Sequence, residues 1–320
     1  MKTILLRIIC CFCGCALAQN APNTPSTILP TPSTPAPTYW NRWQSIGLDV
    51  NQISFVNWNA GGTNSISGLI KGEINRSYIK GNTKWINECL MRYGLSQQDG
   101  VGWRKTDDMF RINSTFGHRR DSLSLWYYSA KFNFNTQFAN GYAYPNVDTP
   151  ISKTMAPAYV FLGVGAEYAL NDKSFSCYLS PLTMKNTLVL DGDLADQGAF
   201  GVRKAVYDAK GNRIQAGERV RTEVGILVTQ YIKKQVFKNG VLESRSSLYT
   251  DYLNHFGNID VDWQLQLDLT VNQYVHANVG THIIYDDDIK AKEEVNGQQV
   301  TTGPRIQLKQ ILAVGVTYRF

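Results

Sequence analysis

The chain has 320 residues, a formal net charge of +6 and a mean hydropathy of -0.26, with 18% charged and 12% aromatic residues. That length suits one large or two ordinary domains. The charge is too small and too evenly spread for a nucleic-acid partner. Beyond the N-terminus, no apolar run reaches the roughly 18 residues that a membrane-spanning helix needs. A membrane β-barrel remains compatible with these numbers, because half of each strand faces a polar interior and dilutes the hydropathy.

Taken in chain order, MKTILLRIICCFCGCALAQ comes first, with basic Lys2 and Arg7, an apolar stretch, and Ala16-Leu17-Ala18. This is the order of a secretory signal peptide, predicted over residues 1–18 with cleavage after Ala18. Four of the six cysteines (Cys10, Cys11, Cys13, Cys15) belong to it, and its loss lowers the charge from +6 to +4 by removing Lys2 and Arg7. Cys89 and Cys177 are far apart in sequence, so neither a disulfide framework nor a metal cluster is expected. Residues 19–39 are rich in Pro, Thr and Ser; they cannot bury a core and predict an extended periplasmic linker.

Residues 40–320 carry no capped helix of 3.6 period. They show strand-like segments near 47–58, 65–79, 84–95, 104–116, 125–138, 158–170, 174–189, 219–233, 241–255, 259–271 and 275–286, and a last one at the C-terminus. In IDVDWQLQLDLTV, Ile259, Val261, Trp263, Leu265, Leu267, Leu269 and Val271 alternate with Asp260, Asp262, Gln264, Gln266, Asp268 and Thr270, the period of a strand with one oily face. LWYYSAKFNFNTQF alternates in the same way, and a bulge is expected near Gln52. Even-numbered links are short (79–82, 117–122, 171–172, 238–240, 272–274), whereas several odd-numbered links are long (139–157, 190–217, 287–304). Outer-membrane barrels have short periplasmic turns and long outside loops. The prediction is an all-β, transmembrane antiparallel barrel of twelve strands with both termini periplasmic. Aromatics such as Tyr78, Trp85, Trp126, Tyr128, Trp263 and Tyr285 fall near predicted strand ends, where interface belts sit.

The segments NWNAGG (57–62), WRKTDDMF (103–110) and WYYSAKFNFNTQFANGYAYPN (126–146), spanning roughly 43–146, are similar to a Bacteroidota outer-membrane family catalogued only as a domain of unknown function. The resemblance implies an envelope location and a barrel, and no activity. The motifs themselves read as hairpin and lumen packing, with a ligand site as the second reading. Alternation in WRKTDDMFRIN places Lys105, Asp107 and Arg111 on one face and Asp108 on the other, near the outer end.

Alternation also selects the interior charges. Lys71, Arg92, Lys105, Arg111, Lys131, Arg219, Arg221, Arg245, Arg305 and Lys309 stand against Glu73, Glu88, Asp107, Glu167, Glu223, Glu243, Asp251, Asp260, Asp262 and Asp268. An ion-selective pore carries one sign in excess at its constriction. Near balance points instead to a cross-linked interior, with pairs such as Arg219 or Arg221 with Asp251. An enzyme would need a serine, a base and an orienting group within reach. His118 and His255 fall at turns, and His276 and His282 share a face with no serine in a recognisable context. Asp286, Asp287 and Asp288 open an outside loop and read as a solvated loop end, so no catalytic residue, metal or cofactor is expected. The last residues, RIQLKQILAVGVTYRF, place Phe320, Tyr318, Val316, Val314 and Leu312 on one parity. Tyr318 and Phe320 resemble the C-terminal sorting signal read by the barrel-assembly machinery. The expected partners are outer-membrane lipid, that machinery during biogenesis, and a periplasmic or surface protein. A small-solute channel or structural envelope component is the favoured reading, a filled scaffold presenting its loops the next, and a phospholipase-like enzyme a distant third.

Overall fold

A computed structural model describes residues 38–54, 63–253, 256–286, 290–295 and 298–320. The signal and most of the linker, NWNAGG, His255, Asp287 and Asp288 lie outside the described residues. Eighteen strands follow in order: β1 (Trp40–Ile53), β2 (Ser65–Lys80), β3 (Thr83–Gln98), β4 (Val101–His118), β5 (Trp126–Thr136), β6 (Gly141–Tyr142), β7 (Pro150–Ser152), β8 (Ala158–Ala169), β9 (Phe175–Leu188), β10 (Val206–Tyr207), β11 (Arg213–Gln215), β12 (Val220–Phe237), β13 (Gly240–Asp251), β14 (Asp260–Thr270), β15 (Val275–Tyr285), β16 (Lys290–Val295), β17 (Gln298–Pro304) and β18 (Gln307–Arg319). Twelve of them close into one antiparallel ring, in the order β1-β18-β15-β14-β13-β12-β9-β8-β5-β4-β3-β2. The other six form three two-stranded hairpins, all within the long links.

The period of two decides what each face meets. Ile46, Leu48, Ile70, Ile74, Leu162, Val164, Leu312 and Val314 point outward and are exposed, while Asp49, Lys84, Glu167, Lys185, Glu223 and Asp251 point inward and are buried. An apolar exterior around a polar interior is the inverse of a soluble globule. It is the arrangement of a transmembrane barrel, whose backbone groups are satisfied by ladders around a closed ring.

The long links 137–157 and 189–219 are at one end of the ring, together with the two-residue turn Asp99-Gly100; the links after β2, β4, β8, β12 and β14 form the other end, where both barrel termini also lie. There Gln44 and Phe320 exchange backbone hydrogen bonds of 2.9 Å. Three features differ from the sequence expectation. β1 runs over 40–53 rather than 47–58, and its ladder with β2 is unbroken from Trp40↔Tyr78 to Ile53↔Ser65, so no bulge exists at Gln52. A short helix α1 (Gly192–Asp196), capped by the Asp191 side chain on the Leu194 amide, and a 3-10 turn (Ala199–Gly201) break the long link after β9. Bulges occur in β4 at Thr106 and between β8 and β9, where Gly165 lies against Ser180-Pro181. Pro181 lacks an N–H, and a Cβ at Gly165 would collide with the Leu179 carbonyl, so both residues suit that interruption.

Candidate functional site

The interior offers the chemistry, and it divides into two sides. On the wall from β5 to β13, Lys185 Nζ reaches Asp260 (2.7 Å), Glu223 (3.7 Å) and Asp286 (3.8 Å), and Arg221 reaches Glu223 (3.2 Å). Below these ions Tyr178, Leu227 and Tyr249 form a buried cluster with Phe161 packed on it, the Phe161 and Tyr249 rings 5.9 Å apart. Nearer the short turns, Glu167 joins Lys84 (2.9 Å) and Lys131 (3.4 Å), and Lys131 lies 4.4 Å from the Tyr178 ring centre. The Lys185, Glu223 and Glu167 side chains are 6%, 3% and 6% exposed. This side is a packed core.

The wall from β14 through β15, β18 and β1 to β2 is wetter. His282 Nε2 meets Asp262 (2.9 Å), Lys309 meets Asp107 (3.1 Å), and Lys71 meets Asp49 (2.9 Å) beside His276 (3.2 Å). Asp262 and Lys309 are 41% and 38% exposed although they face inward. Between the two sides Arg245 on β13 reaches Glu88 on β3 (3.4 Å) while its Nε holds Glu243 (2.7 Å). β13 and β3 are diametrically opposite in the ring, so this pair crosses the lumen and separates the packed side from the accessible one.

A family model described as "Protein of unknown function (DUF3078)" matches residues 50–142, less than half of the chain and overlapping the region of the resemblance. No curated protein matches. Similar solved structures include the translocator domain of the autotransporter NalP from Neisseria meningitidis (11% identity, 90% of each chain, TM-score 0.36). They also include the COG4313 outer membrane channel from Pseudomonas putida F1 (8% identity, 92% of this chain and 100% of that one, TM-score 0.39). A third is the NanC porin (10% identity, 86% and 98%, TM-score 0.38).

The sequence-selected residues fall as follows. Asp107, Arg111, Arg221, Glu223, Asp251, Asp260, Asp262 and Asp268 lie on inward positions of their strands. Lys105 does not. Gly94 pairs with Asp107 but Leu95 with Lys105, so the bulge at Thr106 reverses the parity and turns Lys105 to the outward face with Asp108. Arg219 is a second correction. It precedes β12, is exposed, and its guanidinium lies beside Gly192 of α1 at the long-loop end rather than inside the ring. Tyr318 and Phe320 are exposed on the outer face with their rings stacked 5.6 Å apart. Interior ions that alternation did not select include Asp49, whose strand starts earlier than expected; Lys84, at a strand start; Lys185, because the bulge at Ser180-Pro181 shifts parity between Tyr178 and Thr183; and Asp286, which is not a solvated loop end but 15% exposed beside Lys185.

The family-like motifs meet at the long-loop end. Asp108 accepts from the amides of Phe138 (2.7 Å) and Ala139 (2.9 Å) and from Lys105 Nζ (2.8 Å), which also donates to the Ala139 carbonyl (2.8 Å). The Lys105 amide donates to the Tyr144 hydroxyl (3.1 Å), and Arg104 stacks on that ring. WRKTDDMF therefore straps down the start of the 137–157 link. A second assembly joins that link to the next: Ala156, Val189, Leu194, Ala195 and Val202 form a small apolar core, flanked by Lys153 bonded to Asp191 (2.6 Å). The Lys153 hydrogen bond holds the Asp191 carboxyl below its ordinary 3.8. Asp196 is likewise lowered, first by the Gly217 amide and then by Arg213.

Proposed function

We propose that this chain is an outer-membrane barrel of a Gram-negative bacterium of the Bacteroidota, with its termini in the periplasm, and that it provides a restricted passage for small polar solutes. The route follows the accessible side, along β14, β15, β18, β1 and β2. One observation carries the reading: inward-facing Asp262 and Lys309 keep 41% and 38% exposure, whereas Lys185, Glu223 and Glu167 on the packed side are buried. Charges of both signs line this side, so the passage has little preference for anions or cations. The membrane location rests on the exposed apolar belt around a closed ring. The terminal Tyr318 and Phe320 support recognition by the barrel-assembly machinery, and residues 1–18 support export.

Planar-bilayer recording with the purified protein tests this. Small, weakly selective single-channel currents are expected, and they should change on Asp262→Ala or Lys309→Ala. A silent protein would overturn the passage and favour the second reading, a filled scaffold. That reading draws on the small apolar core that joins the 137–157 and 189–219 links into one folded surface for a partner. A catalytic role has weaker support, because the Nε2 atoms of His276 and His282, besides meeting Asp49 and Asp262, face Lys71 and Gln264 rather than a nucleophile's hydroxyl or thiol. Lipid hydrolysis abolished by His276→Ala would restore it.

A further inference from the structure

The seam between the first and last strands is zipped over only part of its length. β1 and β18 pair from Ser45↔Arg319 to Asp49↔Gly315. Above that point β1 continues to Ile53, laddered to β2, and β18 begins at Gln307, laddered to β15. Among the described residues no ladder joins 50–53 to 307–314. The zipped half needs a close approach: a side chain at Gly315 would meet the Asp49 carboxylate and, at 2.6 Å, the Leu48 carbonyl. Asp49 sits at the last pair, held by Lys71 and His276, so the fork begins at a fixed point. The comparable overhang of β4 beyond Phe110 is covered by the strap that Asp108 holds.

Where the two strands diverge there is a cavity of about 420 Å³. It takes lining from both faces of the wall: Asp49, Asp107 and Lys309 from the lumen, and Val50 and Leu312 from the exterior. It lies at the stretch where, among the described residues, no β1–β18 ladder closes the wall between the accessible side of the lumen and the exterior. Unpaired strand edges are strongly unfavourable in hydrocarbon, which offers their polar groups no partner. A stable fork therefore requires something polar at the edges and something apolar beyond them.

We propose that the β1–β18 fork is a lateral exit for an amphiphile, a single-chain molecule with a small zwitterionic head and an apolar tail, moving between lumen and bilayer. The charges fit such a head, with Lys309 for its anionic group and Asp107 for its cationic group, in place of their own 3.1 Å pair. The tail lies along Val50 and Leu312, and the head partners the open edges. This inference rests on the reading of the barrel as a membrane passage, which it extends sideways.

The test bridges the fork. Asn51→Cys and Ala313→Cys, in a Cys89→Ser, Cys177→Ser background, are coupled with a bismaleimide. Transfer of a fluorescent single-chain phosphocholine into proteoliposomes is then compared with ion current. Bridging should bring transfer down to the protein-free level while the current persists. Equal transfer before and after bridging overturns the exit, and so does joint loss of current and transfer, which would make the seam part of one axial pore. An unbridged protein without current overturns the axial passage, and the transfer comparison still judges the fork. Coupling between two chains would assign the edges to a second copy and also overturn the proposal. Photolabelling with a phosphocholine bearing a diazirine in its tail gives an independent reading. Label concentrated on 50–53 and 307–314 supports the exit, and even label around the ring opposes it.

Discussion

The two sides of the lumen are built from the same alternating strands, yet one is a core and the other a wetted wall. From β5 to β13 the inward residues include Tyr178, Leu227, Tyr249 and Phe161, and the charges beneath and above them are stacked into closed ion clusters. From β14 to β2 they are Gln264, Gln266, His282, Lys309 and Lys71, with no comparable aromatic cluster among the described residues. The difference shows what a filled barrel requires. Ions alone leave water in place, whereas large rings between them exclude it and make each ion depend on its partner.

That dependence yields the largest expected effect. Lys185→Ala removes a buried cation shared by Asp260, Glu223 and Asp286 and should destabilise by about 3–5 kcal/mol in urea unfolding from liposomes. Lys309→Ala, on the wet side, should lose no more than about 1 kcal/mol. Equal losses would erase the distinction. Next is the exterior, which both sides share: Leu162→Arg should destabilise by about 2–4 kcal/mol if that position lies near the bilayer midplane. A neutral result in the same assay would mean that the belt does not meet lipid there.

Asp108→Ala orphans two amides and leaves Lys105 with the Ala139 carbonyl in place of a carboxylate, and should weaken the strap by about 1–3 kcal/mol. The readout is faster proteolytic nicking within 137–157 while heat-modifiable migration of the barrel is unchanged. Arg245→Ala removes the bridge between the sides. Because Arg245 is 37% exposed, the stability loss should be no more than about 1 kcal/mol. The informative change is a larger single-channel conductance, and an unchanged one would place the route elsewhere. The smallest effect is acid loosening of the long-loop assembly. The Asp191 and Asp196 carboxyls are held below 3.8, so their contribution is complete above that value and is lost as pH falls through the lowered values. Nicking of 189–219 should therefore rise only in strong acid; a rise near neutrality would point to other groups.

Much of the fold was legible because its signal is local. The segment predicted at 65–79 is the strand 65–80, and that at 259–271 is 260–270. The first strand was misplaced for a specific reason. Its outward parity carries Arg42 and Gln44 at the short-turn end, where polar groups meet headgroups and water, so the oily alternation disappears. Lys105 is turned outward and Lys185 inward because single-residue bulges at Thr106 and at Ser180-Pro181 reverse parity, and no composition signal marks the first of them. Arg219 shares the parity of an interior residue but lies past the strand end, beside a helix that only the long link's own packing creates.

By itself the sequence determined that this chain forms two-faced strands, how many close the ring, and which links are long, because side-chain period and turn length are properties of neighbouring residues. Tertiary structure alone decided which opposite walls touch, which half of the lumen is packed, and where the seam stops pairing. Those outcomes depend on register, bulges and the approach of strands such as β13 and β3, brought together only when the ring closes.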